Sequence, residues 1–304
     1  MGKQVYHYTS ADAFVSMVNT GGGIHGELTF WASSVYYMND TSEMSVLYGE
    51  LIKIMPKIEE ELNLSDNLLS GIQSTSLLNN RLTIGGVVKD FFYKCIFRNV
   101  YVISFSDQRD TLPMWSMYGK NGNGLCLVFD MDKLNSFLDA NHKMKDVVYS
   151  LDEGPVWDYL KEQYKYYYEE DTNIGDRWIG FITSVLLELS GKVKNIKYDY
   201  EQEYRIIDHV IDMKDLLKWK SYLNMLDSKP SERPAYISEA DVRVRDGLMI
   251  PYKKFTFPLE CLSKVIIGPS TNQKLQKEAL GVLLKGTHLK EDDFILSDIP
   301  YRNI

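Results

Sequence analysis

Strand-like and helix-like patterns occur along this chain in blocks, and that ordering constrains the fold more than any other feature. A doubly wound parallel sheet needs the two kinds of segment to alternate, so blocks favour an α+β architecture. Residues 4–8 (QVYHY) read as a short strand, and Ser10 as the N-cap of a helix carrying Ala13, Phe14, Met17 and Val18 at helical spacing, stopped by Gly21-Gly22-Gly23. A strand at Leu28–Ala32, a turn at Asn39-Asp40 and a long helix from about Ser42 follow. The helix stripe is Val46, Leu47, Leu51, Ile54, Met55 and Ile58. Its acidic end, Glu59–Glu61, opposes the helix dipole. Residues 63–98 read as further helices. Strands return at Asn99–Phe105 and Leu125–Phe129, with a short helix at Leu112–Tyr118 between them. Residues 155–190 are helical and tyrosine-rich, and strands resume at Glu203–Val210 and Lys264–Ile267. The charged segment 213–245, broken by Pro230 and Pro234, reads as an exposed excursion.

Composition narrows the class. At 304 residues, 44% hydrophobic and 25% charged, the chain is globular and long enough to bury a substantial core. A net charge of −8 argues against unspecific coating of DNA, which rests on Lys and Arg neutralising phosphates. No apolar run approaches the roughly 20 residues of a membrane span. The start MGKQVYHYTS lacks a signal-peptide core, so a cytoplasmic protein is expected. Cys95, Cys126 and Cys261 are scattered among apolar neighbours and read as buried small hydrophobes. The five histidines show no metal spacing, and no metal is expected. Gly119–Gly124 (GKNGNG) leads into a strand, not a helix, so it reads as a turn rather than a phosphate cradle.

Two segments stand apart from fold-building. In Tyr6-His7-Tyr8-Thr9-Ser10 a strand puts His7 on one face and Tyr6 and Tyr8 on the other. The default for such a histidine is a satisfied core position. In Tyr200-Glu201-Gln202-Glu203-Tyr204-Arg205-Ile206 an extended chain places Glu201, Glu203 and Arg205 on one face. Adjacent carboxylates repel, so they need a cation, which Arg205 supplies, or a polar cleft. A solvated, self-neutralising face is the default, and a cleft wall is the functional alternative.

The ordered set YHYTS (6–10), Tyr37-Met38-Asn39-Asp40-Thr41-Ser42-Glu43, ISFSDQRDTLPMWSMYGKNGNGLCLVFD (103–130), YEQEYRI (200–206) and VIIGP (265–269) resembles the bacterial domain of unknown function 2971 family, grouped with the ADP-ribosyltransferase-like superfamily. The resemblance implies a single domain over 1–304. Its form would be an α+β, ADP-ribosyltransferase-like split β-sandwich, with helical insertions at about 42–98 and 155–190, that binds NAD in a central cleft. His7 matches the residue that holds a ribose hydroxyl. Glu203 is the best match for the carboxylate that polarises the other ribose, with Glu201 second. Tyr8 and Thr9 flank His7 in the NAD-binding strand, and Tyr36, Tyr37 or Trp115 would stack on nicotinamide. Arg205 would orient Glu203 or neutralise a phosphate. The superfamily's Ser-Thr-Ser motif is not evident.

This resemblance implies an NAD-consuming ADP-ribosyltransferase, such as a toxin or phage-defence effector, acting on a protein or nucleic acid. Breaking the nicotinamide–ribose bond creates an oxocarbenium-like centre that a fixed carboxylate stabilises. NAD hydrolysis needs the same residues with water as acceptor. A noncatalytic sensor that keeps the cleft to bind a nucleotide or protein is the alternative from another class. The enzyme reading expects Glu203→Ala to abolish nicotinamide release with the fold intact. Asp107 and Asp110 are expected to organise the loop before the Leu112 helix. Lys192-Val193-Lys194 and Arg243-Val244-Arg245 read as solvated surface or nucleic-acid contacts.

Overall fold

Gln4–Thr9 (β1) is a strand buried on both faces, with Val5 in the main core and Tyr6 and Tyr8 packed on the opposite face. The computed structural model describes residues 2–20, 26–38, 40, 43–64, 99–172, 174–209, 240–245 and 247–300. The Gly21-Gly22-Gly23 stop, Asn39, the helices expected within 65–98, Cys95, Val210 at the end of an expected strand and residues 213–239 of the expected excursion lie outside these.

After β1 come α1 (Ala11–Thr20), β2 (Glu27–Ser34), a 3-10 turn (Val35–Tyr37), α2 (Glu43–Glu61), β3 (Val100–Ser106), α3 (Leu112–Met117) and β4 (Leu125–Asp130). The chain continues through α4 (Met131–Ser136), β5 (Lys145–Asp146), α5 (Gly154–Glu169), α6 (Ile174–Leu189), a 3-10 turn (Ile196–Glu201) and β6 (Glu203–His209). It closes with β7 (Asp241–Arg245), β8 (Leu248–Pro258), β9 (Leu262–Ile267), α7 (Gln273–Leu283) and β10 (Phe294–Leu296). Ser10 caps α1, its Oγ accepting from the Ala13 N–H at 3.2 Å. The stretch expected to be helical at 155–190 is a pair of packed helices, α5 and α6. One expectation is corrected: residues 241–245, read as part of an exposed excursion, are mostly exposed but form a strand that pairs along β8, Val242 and Val244 alternating with Arg243 and Arg245.

The fold is α+β, with one large sheet ordered β10-β9-β4-β1-β3-β2-β8-β7, and with β6 on the other edge of β3 followed by β5. Every pairing is antiparallel except β9 with β10. In a flat sheet β4, with β1 between, would stand two strand spacings from β3, about 10 Å. Yet the rings of Phe30 (β2) and Phe129 (β4) are 5.6 Å apart, and those of Phe105 (β3) and Phe129 are 5.7 Å apart. The sheet therefore folds over on itself, and its two arms face each other across one core that includes Val5, Phe30, Phe105, Leu127 and Phe129. The bend falls at the join of β1 and β3, which share the single pair Tyr6↔Ser106.

A second core lies on the outer face of β3 and β6. There Val100, Val102 and Ile207 meet α2, α5 and α6 through Leu51, Met55, Leu160, Trp178 and Ile182. The acidic end of α2 finds its partners in this layer: Glu59 accepts from the Tyr164 hydroxyl, and Glu61 pairs with Lys161 at 3.4 Å and accepts from Trp157 Nε1 at 3.2 Å. These contacts offset the unfavourable dipole. Cys126 and Cys261 are buried, as expected. Among the described residues no helix is long and apolar enough to cross a membrane, and no cluster of three or more metal-ligating side chains occurs.

Candidate functional site

Along one edge of β3, β2 pairs at Tyr101 and Val102 and β1 pairs at Ser106, so the chain between has no strand beside it on that edge. A cleft of about 820 Å³ opens at this split. It runs from Glu201 and Glu203 at the β6 end, past Ser104 and His7, to Trp31, Arg243 and Arg245 at the β7 end. Tyr37, Asp40 and Glu43 line it from the β2–α2 connection, and Met117 and Tyr118 from the end of α3. The turn at 119–124 holds that wall close: a Cβ on Gly124 would stand 2.4 Å from the Thr9 carbonyl oxygen, so only glycine fits.

Glu203 and Arg205 project from alternate positions of β6 to the same buried face. Glu201 joins them differently. It ends the 3-10 turn, and Gln202 in the left-handed region (φ 42°) turns the chain into β6. The Ser106 hydroxyl donates to the Glu201 carbonyl, and the Asp107 N–H donates to the Gln202 carbonyl at 2.9 Å, which fastens the turn to the end of β3. Arg205 donates from Nε and Nη2 to Glu203 at 2.7 and 2.9 Å, and from Nη1 and Nη2 to Glu43 at 3.0 and 2.7 Å. Lys194 Nζ bridges Glu201 at 2.5 Å and Glu203 at 3.0 Å, and the Tyr118 hydroxyl donates to the other Glu201 oxygen at 2.8 Å.

All five charged groups are buried. Three carboxyl groups face two cations, and burial raises the Glu43 carboxyl against the pull of Arg205 beside it. Burial alone would raise the Glu203 carboxyl, but Arg205 and Lys194 outweigh it and hold the pKa at about 2. Burial would likewise neutralise Lys194, yet Glu203 and Glu201 keep its ammonium charged. Burial, reinforced by Glu201, pushes the Tyr118 hydroxyl far up, so it stays a donor.

His7 stands in the split with its ring 5.1 Å from Phe30 and 5.6 Å from Phe105. Its Nδ1 lies 2.8 Å from the Ser104 carbonyl, which can only accept, so Nδ1 carries the proton. Burial lowers the ring pKa to about 4, and Arg243 adds to the effect against the opposing Ser104 bond. At neutral pH His7 is therefore an uncharged ring whose Nε2 bears a lone pair, suited to accept from a hydroxyl.

The remaining expected residues are spread around this centre. Tyr8 and Thr9 line the cleft, and the Tyr8 hydroxyl donates to the Gln108 carbonyl at 2.8 Å. Tyr37 lines the cleft, whereas Tyr36 points outward with 43% of its surface exposed. Trp115 is fully buried, edge-on to Tyr8 at 5.0 Å, and its Nε1 donates to Asp110 at 2.7 Å; it does not line the cleft. Asp110 also accepts from Ser297 Oγ at 2.6 Å and so organises its loop, as expected. Arg205 is sealed beneath Glu43 and Glu203, so it acts on Glu203 rather than on anything in the cleft.

Two surface readings are corrected. The 201–205 face is buried in an ion network, because α2 and the 3-10 turn cover it. Lys194 is not solvated: Val193 is buried beside it and both carboxylates claim its ammonium. Sequence reasoning gave no site role to Glu43, Tyr118 or Trp31, and read Lys194 and Arg243 only as solvated surface or nucleic-acid contacts. The signal for Lys194 was a lysine next to apolar Val193, seven residues before Glu201 and nine before Glu203, a carboxylate pair that needed cations.

Residues 114–206 match the family model described as "Protein of unknown function (DUF2971)". That segment carries α3, Lys194, the 3-10 turn and most of β6, and the match supports the resemblance to this family. Neither the curated proteins nor the solved structures gave a match.

Proposed function

We propose that the chain is an NAD-consuming ADP-ribosyltransferase with a macromolecular acceptor. The observation that carries this reading is the convergence of His7, Tyr37, Glu201 and Glu203 on one cleft at the split between the arms of a folded-over sheet. The reading requires a split β-sandwich, and the folded-over, mostly antiparallel sheet supports it. The cleft volume of about 820 Å³ falls in the range for ligand pockets, and its donors and acceptors suit a dinucleotide with a cationic ring at one end.

In this reading His7 Nε2 accepts a ribose hydroxyl and fixes the sugar. The Glu201 and Glu203 carboxylates stabilise the positive charge that develops at the anomeric carbon as the C–N bond breaks and nicotinamide leaves with the electron pair. Glu203 is held fully ionised by Arg205 and Lys194. Glu201 is bound by one cation and one neutral hydroxyl, so it retains lone pairs to accept the proton of an incoming nucleophile. Tyr37 offers the aromatic face for the ring. With water as nucleophile, the same residues would perform NAD hydrolysis.

One observation favours the noncatalytic reading. Both Glu203 oxygens already accept from Arg205, and one also accepts from Lys194, an arrangement that equally suits a rigid binding wall. Incubating the protein with adenylate-labelled NAD, with and without cell lysate, separates these readings. Label on a macromolecule supports the transferase. Free labelled ADP-ribose without lysate points to hydrolysis. Intact NAD with folded protein rejects both enzymes in favour of the sensor.

A further inference from the structure

The far end of the cleft is built unlike the acidic end. Arg243 reaches from β7 across β8 to β2, where its Nη2 donates to Ser33 Oγ at 2.7 Å. Its guanidinium lies 5.3 Å from the Trp31 ring centre and 5.9 Å from that of Tyr252. Among the described residues no carboxylate pairs with it, and its Nε is buried without a hydrogen-bond partner. The indole Nε1 of Trp31 is also buried without a partner. Two unanswered donors side by side, one of them charged, call for an acceptor-rich anion. Burial, with the like charge of Arg245 behind it, lowers the Arg243 pKa, in keeping with a cation that has no counter-charge.

We propose that Arg243 and Trp31 form the anion-binding end of the cleft and hold the diphosphate of an extended nucleotide. Register sets the length of that ligand. Ser33 pairs with Val102, and Glu203 pairs with Ser106 four residues further along β3. With two strand spacings between β2 and β6, the anchor points are roughly 17 Å apart at the backbone. A single phosphate or a mononucleoside does not bridge that span; a ligand with a diphosphate between two ends does. This inference shares with the proposed activity the premise that the cleft binds a ligand, but it rests on Arg243 and Trp31 alone and needs no bond to break.

Calorimetric titration of the whole chain with ADP, inorganic pyrophosphate and adenosine tests it, using wild type, Arg243→Gln, Arg243→Lys and Trp31→Phe. Thermal unfolding of each variant checks that it is folded. The expected result is that ADP and pyrophosphate bind the wild type, that Arg243→Gln weakens both at least about tenfold, and that Arg243→Lys recovers part of the loss. Trp31→Phe, which keeps a ring but removes the donor, weakens ADP less than Arg243→Gln does. Equal ADP affinity in wild type and folded Arg243→Gln overturns the proposal, and so does absence of ADP and pyrophosphate binding to wild type. Arg243-dependent ADP binding without any turnover of NAD would leave this inference standing while the activity fails. Turnover at an unchanged KM in Arg243→Gln would do the reverse.

Discussion

Lys194 donates to Glu201 at 2.5 Å from a position where both side chains are almost wholly buried. The same ammonium is 3.0 Å from Glu203, so one lysine holds two carboxylates that would otherwise repel across a low-dielectric gap. The geometry of the acidic end of the cleft depends on this bridge. Replacing Lys194 with Met removes the cation and keeps the stem. The variant is expected to lose about 3–5 kcal/mol of stability at pH 7, the usual consequence of stranding buried charge. Denaturant unfolding measures it. A loss below about 1 kcal/mol would mean the network is not held as described.

Arg205 should not tolerate lysine. Its fork serves Glu203 through Nε and Nη2 and Glu43 through Nη1 and Nη2, and an ammonium cannot reproduce two planar pairs at once. Arg205→Lys is expected to destabilise by roughly 2–4 kcal/mol despite the conserved charge. Comparison with Arg205→Met by chemical unfolding checks that charge without shape recovers only part of the loss.

His7 makes stability fall in mild acid. Its folded pKa is about 4 against an ordinary 6.5, so the unfolded chain takes up the proton first. The contribution of a neutral His7 is complete above pH 6.5 and is lost as pH falls from 6.5 to 4, by on the order of 3 kcal/mol. His7→Asn should flatten that part of the stability–pH curve relative to wild type. Equal slopes in the two proteins would show that His7 is not held neutral.

Glu203 acts in a lower window. Its pKa of about 2 lies beneath the ordinary carboxylate value of 4.5, so its stabilisation is present above 4.5 and disappears as pH drops toward 2. Glu203→Gln should therefore destabilise at neutral pH, by on the order of 3 kcal/mol, and approach wild type at pH 2. Glu203→Ala should cost stability by the same geometry, because Arg205 then keeps only Glu43 and Lys194 only Glu201.

The strands were legible in the sequence where period-two or continuous apolar runs coincided with turn residues, as at 4–8, 28–32, 100–105 and 125–129. What stayed hidden was the bend. Pairing of Tyr6 with Ser106, and its failure beyond, depends on contacts between residues a hundred positions apart. The same holds for the cleft's far end: Trp31 and Arg243 look like an ordinary strand aromatic and a surface arginine until β8 brings β2 and β7 together. His7, Glu201 and Glu203 were legible as candidates because their residue types were unusual for their local patterns. Their supports were not. Nothing local marks Glu43 as the second partner of Arg205, since α2 and β6 meet only in the folded chain.

In the proposed function, the Glu201 end of this cleft acts on NAD. Glu201→Gln tests it with the least disturbance, because the amide preserves the side-chain shape and an oxygen for Lys194 or Tyr118. The measurement is the rate of nicotinamide release from NAD by folded wild type and folded Glu201→Gln, with cell lysate present. The expected result is release by the wild type and a loss of at least about a hundredfold in the variant. Equal release by the two proteins would remove Glu201 from the chemistry, and no release by wild type under these conditions would contradict the activity itself.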